Sequence, residues 1–171
     1  SISVSTGGVE MGQGLKSNIA GIVAKGFGIR EHRIKIESTN TTRVANMSPS
    51  AASATTALNG NATLIAIEQV LDRLKSMVAK ELGVQDTGRI TIVDEKVFCD
   101  GRETDWTWDR LVQTAHLNRI DLSAHGFFAT PEIYFDKIKE KGHPFAYHIF
   151  GTAIIEVTLD CLRGTYDIDS V

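Results

Sequence analysis

Residues 7–14, Gly7-Gly8-Val9-Glu10-Met11-Gly12-Gln13-Gly14, place four glycines in eight positions. A strand-like run, Ile2-Ser3-Val4-Ser5, precedes them, and an amphipathic helical pattern follows. Such a chain must turn sharply from strand to helix, with a backbone that a ligand can approach closely. The helix beginning beside Gln13 presents unpaired N–H groups to whatever lies in front of it. That suits a phosphate, a pyrophosphate or a metal-bound oxo group. Two phosphate motifs fail the test of spacing. Gly7 and Gly12 have the gap of a P-loop, but Gln13-Gly14 stands where Gly-Lys-Ser/Thr is required, and Lys16-Ser17 comes too late. The dinucleotide pattern lacks its third glycine, because Ser17 occupies that offset. A glycine-rich turn without a ligand is the alternative.

A second segment bears on the choice. Ser48-Pro49-Ser50-Ala51-Ala52-Ser53-Ala54-Thr55 opens the longest helical pattern. Ser48 suits an N-cap and Pro49 the first helical position. The small residues after them let another surface come close. Two helix starts could therefore converge on one anion, or the small residues could serve a close helix–helix contact.

Period-two and period-3.6 segments alternate along the chain, which predicts an α/β fold of the α+β type, with mixed sheets and two main helices. Residues 1–6 and 33–38 read as strands, and 13–27 as a helix closed near Gly26 and Gly28. Residues 39–47 read as a loop. The second helix is expected from Pro49 to Leu82, with Gly83 at its end and Asn59-Gly60-Asn61 as a kink or a point of close approach. Residues 89–93 and 96–99 form a predicted hairpin around Asp94-Glu95, and Thr107 opens a short helix. Trp106 and Trp108 read as core anchors. Residues 120–129 read as a strand, 132–143 as a charged loop, and 146–160 with 164–170 as a final hairpin.

The 171 residues suit one domain, 1–171, with room for two lobes of about 1–85 and 86–171. A net charge of −3 without a basic stripe gives nucleic-acid binding no electrostatic support. No apolar run reaches transmembrane length, and no signal-peptide pattern is seen, so a cytoplasmic protein is expected. Cys99 and Cys161 form no CxxC pattern, which argues against an iron–sulfur cluster or structural zinc held by this chain. The five histidines show no zinc spacing, and no serine has a GxSxG context. Glu10 reads as a solvated or hydrogen-bonded structural acid. The residues themselves supply no catalytic constellation and no metal ligand set. The non-methionine start and the strand-like ends suggest a piece of a longer polypeptide.

Residues 7–14, then Glu37-Ser38-Thr39-Asn40-Thr41, then Ser48-Pro49-Ser50-Ala51-Ala52-Ser53 resemble the molybdenum-binding region of the xanthine dehydrogenase / aldehyde oxidase family. Asn59-Gly60 falls in the expected place. Leu122-Ser123-Ala124-His125-Gly126-Phe127-Phe128-Ala129-Thr130-Pro131, Pro144-Phe145-Ala146-Tyr147 and Glu156-Val157-Thr158-Leu159-Asp160-Cys161-Leu162-Arg163-Gly164 resemble its xanthine dehydrogenase branch. The resemblance implies a molybdopterin cofactor, and hydroxylation of an electron-poor carbon of a purine or an aldehyde with oxygen from water. FAD and iron–sulfur clusters are then expected on other domains or subunits, with an oligomeric parent and a small-molecule substrate. It implies that Gln13 hydrogen-bonds the oxo or dithiolene region, that Gly12 and Gly14 let the backbone close in, and that Ala51, Ala52 and Ser53 line the cofactor and substrate edge. Two departures stand out. The family's base glutamate lies in a Gly-Glu-Pro-Pro motif that this chain does not contain, and Glu132 is followed by Ile133 instead. Lys16 stands where many members have histidine. This chain alone is therefore expected to lack cofactor and activity. An aldehyde or other heterocycle oxidoreductase, or a non-catalytic binding module, are the alternatives.

Overall fold

Two short parallel strands bracket the first helix. The computed structural model describes residues 1–37, 39–44, 49–51, 54–146 and 151–171. Strand β1 (Ile2–Val4) pairs with β2 (Ile34–Ile36), Ile2 opposite Ile34 and Val4 opposite Ile36. Parallel neighbours need a crossover, and helix α1 (Leu15–Phe27) supplies it. Leu15, Ile19, Val23 and Phe27 recur every four residues and form its buried face. Gly28, at φ 68°, ends the helix, and Ile29 N–H returns to Ala24 O at 2.9 Å.

Helix α2 (Thr55–Glu81) packs on α1, and its Ile67, Val70, Leu74, Met77 and Val78 enter the common core. Below them lies an antiparallel sheet of β3 (Ile90–Val93), β4 (Lys96–Cys99) and β5 (Arg102–Thr107), in that order. Its turn at Asp94 and Glu95 uses positive φ at both positions, 49° and 65°, as a tight hairpin demands. Helix α3 (Trp108–Leu117) follows, capped by Thr107, whose hydroxyl accepts from Arg110 N–H. Trp106 and Trp108 are both buried, as core anchors should be, and the Trp108 ring meets Phe27 edge-on at 5.6 Å. One cluster unites Leu15, Leu74, Ile90, Val97 and Leu111.

Several expectations are corrected. Helix α2 begins at Thr55, so Pro49 is not its first residue; Pro49, Ser50 and Ala51 are not helical, and Ser48 lies outside the described residues. The Ser50 hydroxyl is engaged elsewhere, accepting from Val9 N–H at 2.8 Å. Of the two roles expected of Asn59-Gly60-Asn61, the structure shows the close approach, within a continuous α2. Both asparagine amides bond back to carbonyls one turn earlier, Thr55 O and Ala57 O, and Ile22 lies against Gly60.

Residues 120–129 form no strand. That segment lies along α2, held by side chains: Arg73 donates to Asp121 Oδ2 (2.6 Å) and Ser123 O (2.7 Å), and Gln69 Nε2 donates to His125 O (3.1 Å). The charged stretch 132–143 contains a hairpin, β6 (Tyr134–Asp136) and β7 (Lys141–His143), whose turn is held by Asp136 Oδ1 accepting from the Ile138 and Lys139 amides. The final hairpin is shorter than expected in its first strand: β8 (Glu156–Asp160) pairs with β9 (Thr165–Ser170). Among the described residues none after Ala115 is buried. No helix is long and apolar enough to cross a membrane among the described residues.

Candidate functional site

The glycine-rich loop leaves the C-terminal end of β1, and Glu37 follows the same end of β2, ahead of residues 39–44. Crevices at that edge of parallel strands are where ligands bind in α/β sheets. The two loops are tied together by Thr39, whose hydroxyl donates to Gly8 O (3.0 Å) and lies 3.2 Å from Thr6 O. The third segment joins through Ser50, which accepts from Val9 N–H. Gly8 meanwhile lies so close to Leu15 and Thr55 that a Cβ there would collide with both and press on Asn59. Three sequence-distant segments, near 7–14, 39–44 and 49–51, thus meet beside the start of α2.

Within the loop, Glu10 takes the place foreseen for an external anion. Its Oε1 accepts from Gly12 N–H (2.8 Å) and Gly14 N–H (3.1 Å), and its Oε2 accepts from Lys16 N–H (2.9 Å). Gly14, at φ 80°, caps α1 without a side chain, so Glu10 performs the capping from four residues upstream. The Lys16 amide above all, then that of Gly12, holds the Glu10 carboxyl below the usual carboxylate range. The hydrogen-bonded structural role expected of Glu10 is the one observed.

Gln13 folds onto its own loop. Its Nε2 donates to Val9 O at 2.7 Å, and its Oε1 accepts from Met11 N–H at 2.6 Å. A primary amide has two N–H groups and two lone pairs. One of each remains, on a side chain fixed in orientation and exposed. Gly12, at φ 103°, and Gln13 are exposed, Gly14 is half-buried, and Ala51 is exposed beside Ser50. Ala52 and Ser53 lie outside the described residues. The edge therefore offers neutral donors and acceptors together with open backbone. Among the described residues no three His, Cys, Asp or Glu side chains cluster to hold a metal ion. These groups fit a cofactor that brings its own metal ligands better than a bare ion.

A family described as the molybdopterin cofactor-binding domain matches residues 1–171, the whole chain. The chain belongs to this family. A xanthine dehydrogenase of Oryza sativa subsp. japonica is 37% identical over 99% of the chain, which covers 11% of that protein. Xanthine dehydrogenase 1 of Arabidopsis thaliana is 36% identical over 96% of the chain and is covered to 10%; the xanthine dehydrogenase/oxidase of Felis catus is 32% identical over 97%, covered to 11%. The chain thus spans about a tenth of the length of these relatives. Among solved structures, reconstituted CO dehydrogenase from Oligotropha carboxidovorans superposes with a TM-score of 0.65 over 77% of this chain and 17% of that one, at 21% identity. Quinoline 2-oxidoreductase from Pseudomonas putida 86 gives 0.61 over 72% and 16%, at 20%. At these identities the structures speak for the fold alone. The resemblance drawn from the glycine loop and its companion segments is borne out at the level of family.

In this molybdopterin cofactor-binding domain, sequence reasoning found the loop and missed its fastenings. Thr39 and Ser50 lie inside the segments that carry the resemblance, yet only tertiary contacts reveal them as ties. Of the other resembling segments, the one beginning at Leu122 lies on α2 rather than on the loop. Gly126 fits there because a Cβ would overlap the Ala62 carbonyl.

Proposed function

We propose that residues 1–171 form part of the cofactor shell of a molybdenum hydroxylase that oxidises purines, xanthine or hypoxanthine, with oxygen from water. The observation that carries this reading is the meeting of the loops after β1 and β2 with the segment before α2, around a pre-oriented Gln13 amide. The relatives named as xanthine dehydrogenases support the purine choice. When bound, the molybdenum cofactor supplies the two-electron chemistry at the substrate carbon. This chain's residues bind and orient it. Gln13 offers its remaining N–H and lone pair, Gly12 and Gly14 let the backbone approach, and Ala51, Ala52 and Ser53 leave room for cofactor and substrate.

The general base comes from outside residues 1–171, as do the FAD and iron–sulfur domains or subunits that take the electrons. The remaining segments of the same molybdenum subunit are the nearest partners, in an oligomeric, cytoplasmic parent. The chain itself is read as one domain with lobes meeting near residue 85; membership of Leu15, Leu74, Ile90 and Leu111 in one core cluster supports that unity.

The test is made on the protein at its natural length. Stoichiometric molybdenum by elemental analysis and urate formation from xanthine are expected. Oxidation of aldehydes or other heterocycles without urate would redirect the substrate assignment, and absence of molybdenum would leave a binding module. Residues 1–171 expressed alone are expected to hold no molybdenum, because the proposed cofactor shell is only partly formed by them, and to form no urate, because a missing general base costs a further ~10²–10⁴ in rate.

A further inference from the structure

We propose that Glu10 is a positioning residue of the cofactor loop: its carboxylate fills the N–H cradle at the start of α1, so that the loop meets the cofactor with the Gln13 amide and open backbone rather than with an anion site. The inference rests on the proposed cofactor role of this edge. Glycine-rich strand-to-helix turns ordinarily offer their N–H groups to phosphate. Here three amides around the helix start, those of Gly12, Gly14 and Lys16, are already spent on Glu10, at 2.8, 3.1 and 2.9 Å. Both carboxylate oxygens are used, and each bond is of the charge-assisted kind.

The cap also shapes the loop. Gly12 and Gly14 sit at φ 103° and 80°, which glycine adopts without steric cost but does not by itself hold fixed. Glu10 bonds to both, on either side of Gln13, and so fixes the backbone from which Gln13 projects. Gln13 completes the arrangement by bonding Val9 O and Met11 N–H, the two neighbours of Glu10. The two side chains thus cross within one turn. Glu10 reaches forward to the helix, and Gln13 reaches back to the strand side. Removal of the carboxylate frees the Gly12 and Gly14 amides together and releases Gln13 from its fixed plane. It also opens a cradle that would compete for anions with the placement the intact loop provides.

The experiment uses the protein at its natural length, with amide hydrogen exchange read by mass spectrometry on peptides covering 8–17 and molybdenum read by elemental analysis. In Glu10→Gln, exchange across 12–16 should rise roughly tenfold or more, because the cap bonds to charge are lost. Peptides from the β3–β5 sheet should be unchanged, and molybdenum content should fall. In Glu10→Ala, millimolar formate should restore both the protection and the molybdenum content, a rescue that a merely space-filling residue would not show. In cofactor-free wild-type protein, millimolar inorganic phosphate should leave exchange across 12–16 unaltered, since the cradle is full. This last measurement stands even if a variant fails to fold. Protection by phosphate in the wild type, unaltered exchange in the variants, or a loosened loop that keeps its full molybdenum content would each overturn the positioning role. Wild-type protein without molybdenum would instead overturn the cofactor reading, a result separable from the exchange of the loop.

Discussion

At Gln13 the side chain contacts little apolar surface, so its value lies in two hydrogen bonds to its own loop and in the two valences left over. Gln13→Ala in the natural-length protein is expected to lower turnover per bound molybdenum about ten- to a hundredfold, the worth of ~1.5–3 kcal/mol for a hydrogen bond to a strongly polar group. The melting temperature should move little. A Gln13→Ala protein with a lowered melting temperature and wild-type turnover per metal would make Gln13 only a brace of the loop. Gly126 offers a purely steric counterpart. A methyl group there would press on the Ala62 carbonyl, so Gly126→Ala should cost about 1–3 kcal/mol in urea unfolding, as overpacking does. An unchanged midpoint would mean that residues 121–126 do not rest on α2. The glycine spacing of residues 7–14 was legible in the sequence because it breaks the strand-to-helix pattern. The use that Glu10 makes of the helix amides was not, since an acid before a helix is compatible with solvation as well as with capping.

Elements were legible where periodicity was unambiguous. Helix α1 shows a four-residue recurrence, and β3–β4 shows alternation around a turn whose positions both have positive φ. Strand β5 was missed because only Trp106 along it is buried, so its sequence shows no alternation. The start of α2 was misplaced because small residues and a proline resemble a helix cap locally, while Ser50 is committed to Val9 across the fold. What joins these elements is also non-local. Arg33 donates through Nε and Nη2 to Glu95 and through Nη1 and Nη2 to Asp109, linking the hairpin turn to α3. Glu95 further accepts from Arg30 N–H through Oε1, and its backbone carbonyl accepts from Trp108 N–H. The Arg33 guanidinium holds both carboxyls below their usual range. Groups whose folded pKa is depressed contribute stability above the unfolded value, about 4, and lose it as pH falls through the folded value. Replacing Arg33 by Met should therefore lower the urea midpoint near neutrality, and the gap from wild type should close as pH falls below about 4. A gap of constant size at all pH values would show that Arg33 acts through packing alone.

Across the whole molecule the burial is unequal. The core draws on both helices of the α1–α2 pair, the β3–β5 sheet and α3, while nothing described beyond Ala115 is buried. The β8–β9 hairpin shows what this means. Val157 stands opposite Ile168 and Leu159 opposite Tyr166, which puts all four on one face, exposed at 47%, 58%, 65% and 64%. Thr158 opposite Asp167 and Asp160 opposite Thr165 give the other face its polar character. A two-stranded hairpin is marginal by itself, and this one leaves its apolar face uncovered. In residues 1–171 studied alone, amides of 156–170 should exchange at rates near those of an open chain, whereas those of α1, α2 and β3–β5 should be protected by orders of magnitude. In the natural-length protein, the remaining segments of the proposed molybdenum subunit would cover that face, and the hairpin amides should then slow by at least about a hundredfold, the effect of ~2.7 kcal/mol of added protection. Leu159→Asp separates the two situations. In residues 1–171 alone it should leave the unfolding midpoint nearly unchanged, because Leu159 is mostly exposed there. In the natural-length protein the same substitution should abolish the hairpin's added protection, because a carboxylate cannot enter an apolar contact without a partner. Equal, fast exchange of 156–170 in both lengths would show that this face stays open to solvent and that the subunit's other segments dock elsewhere.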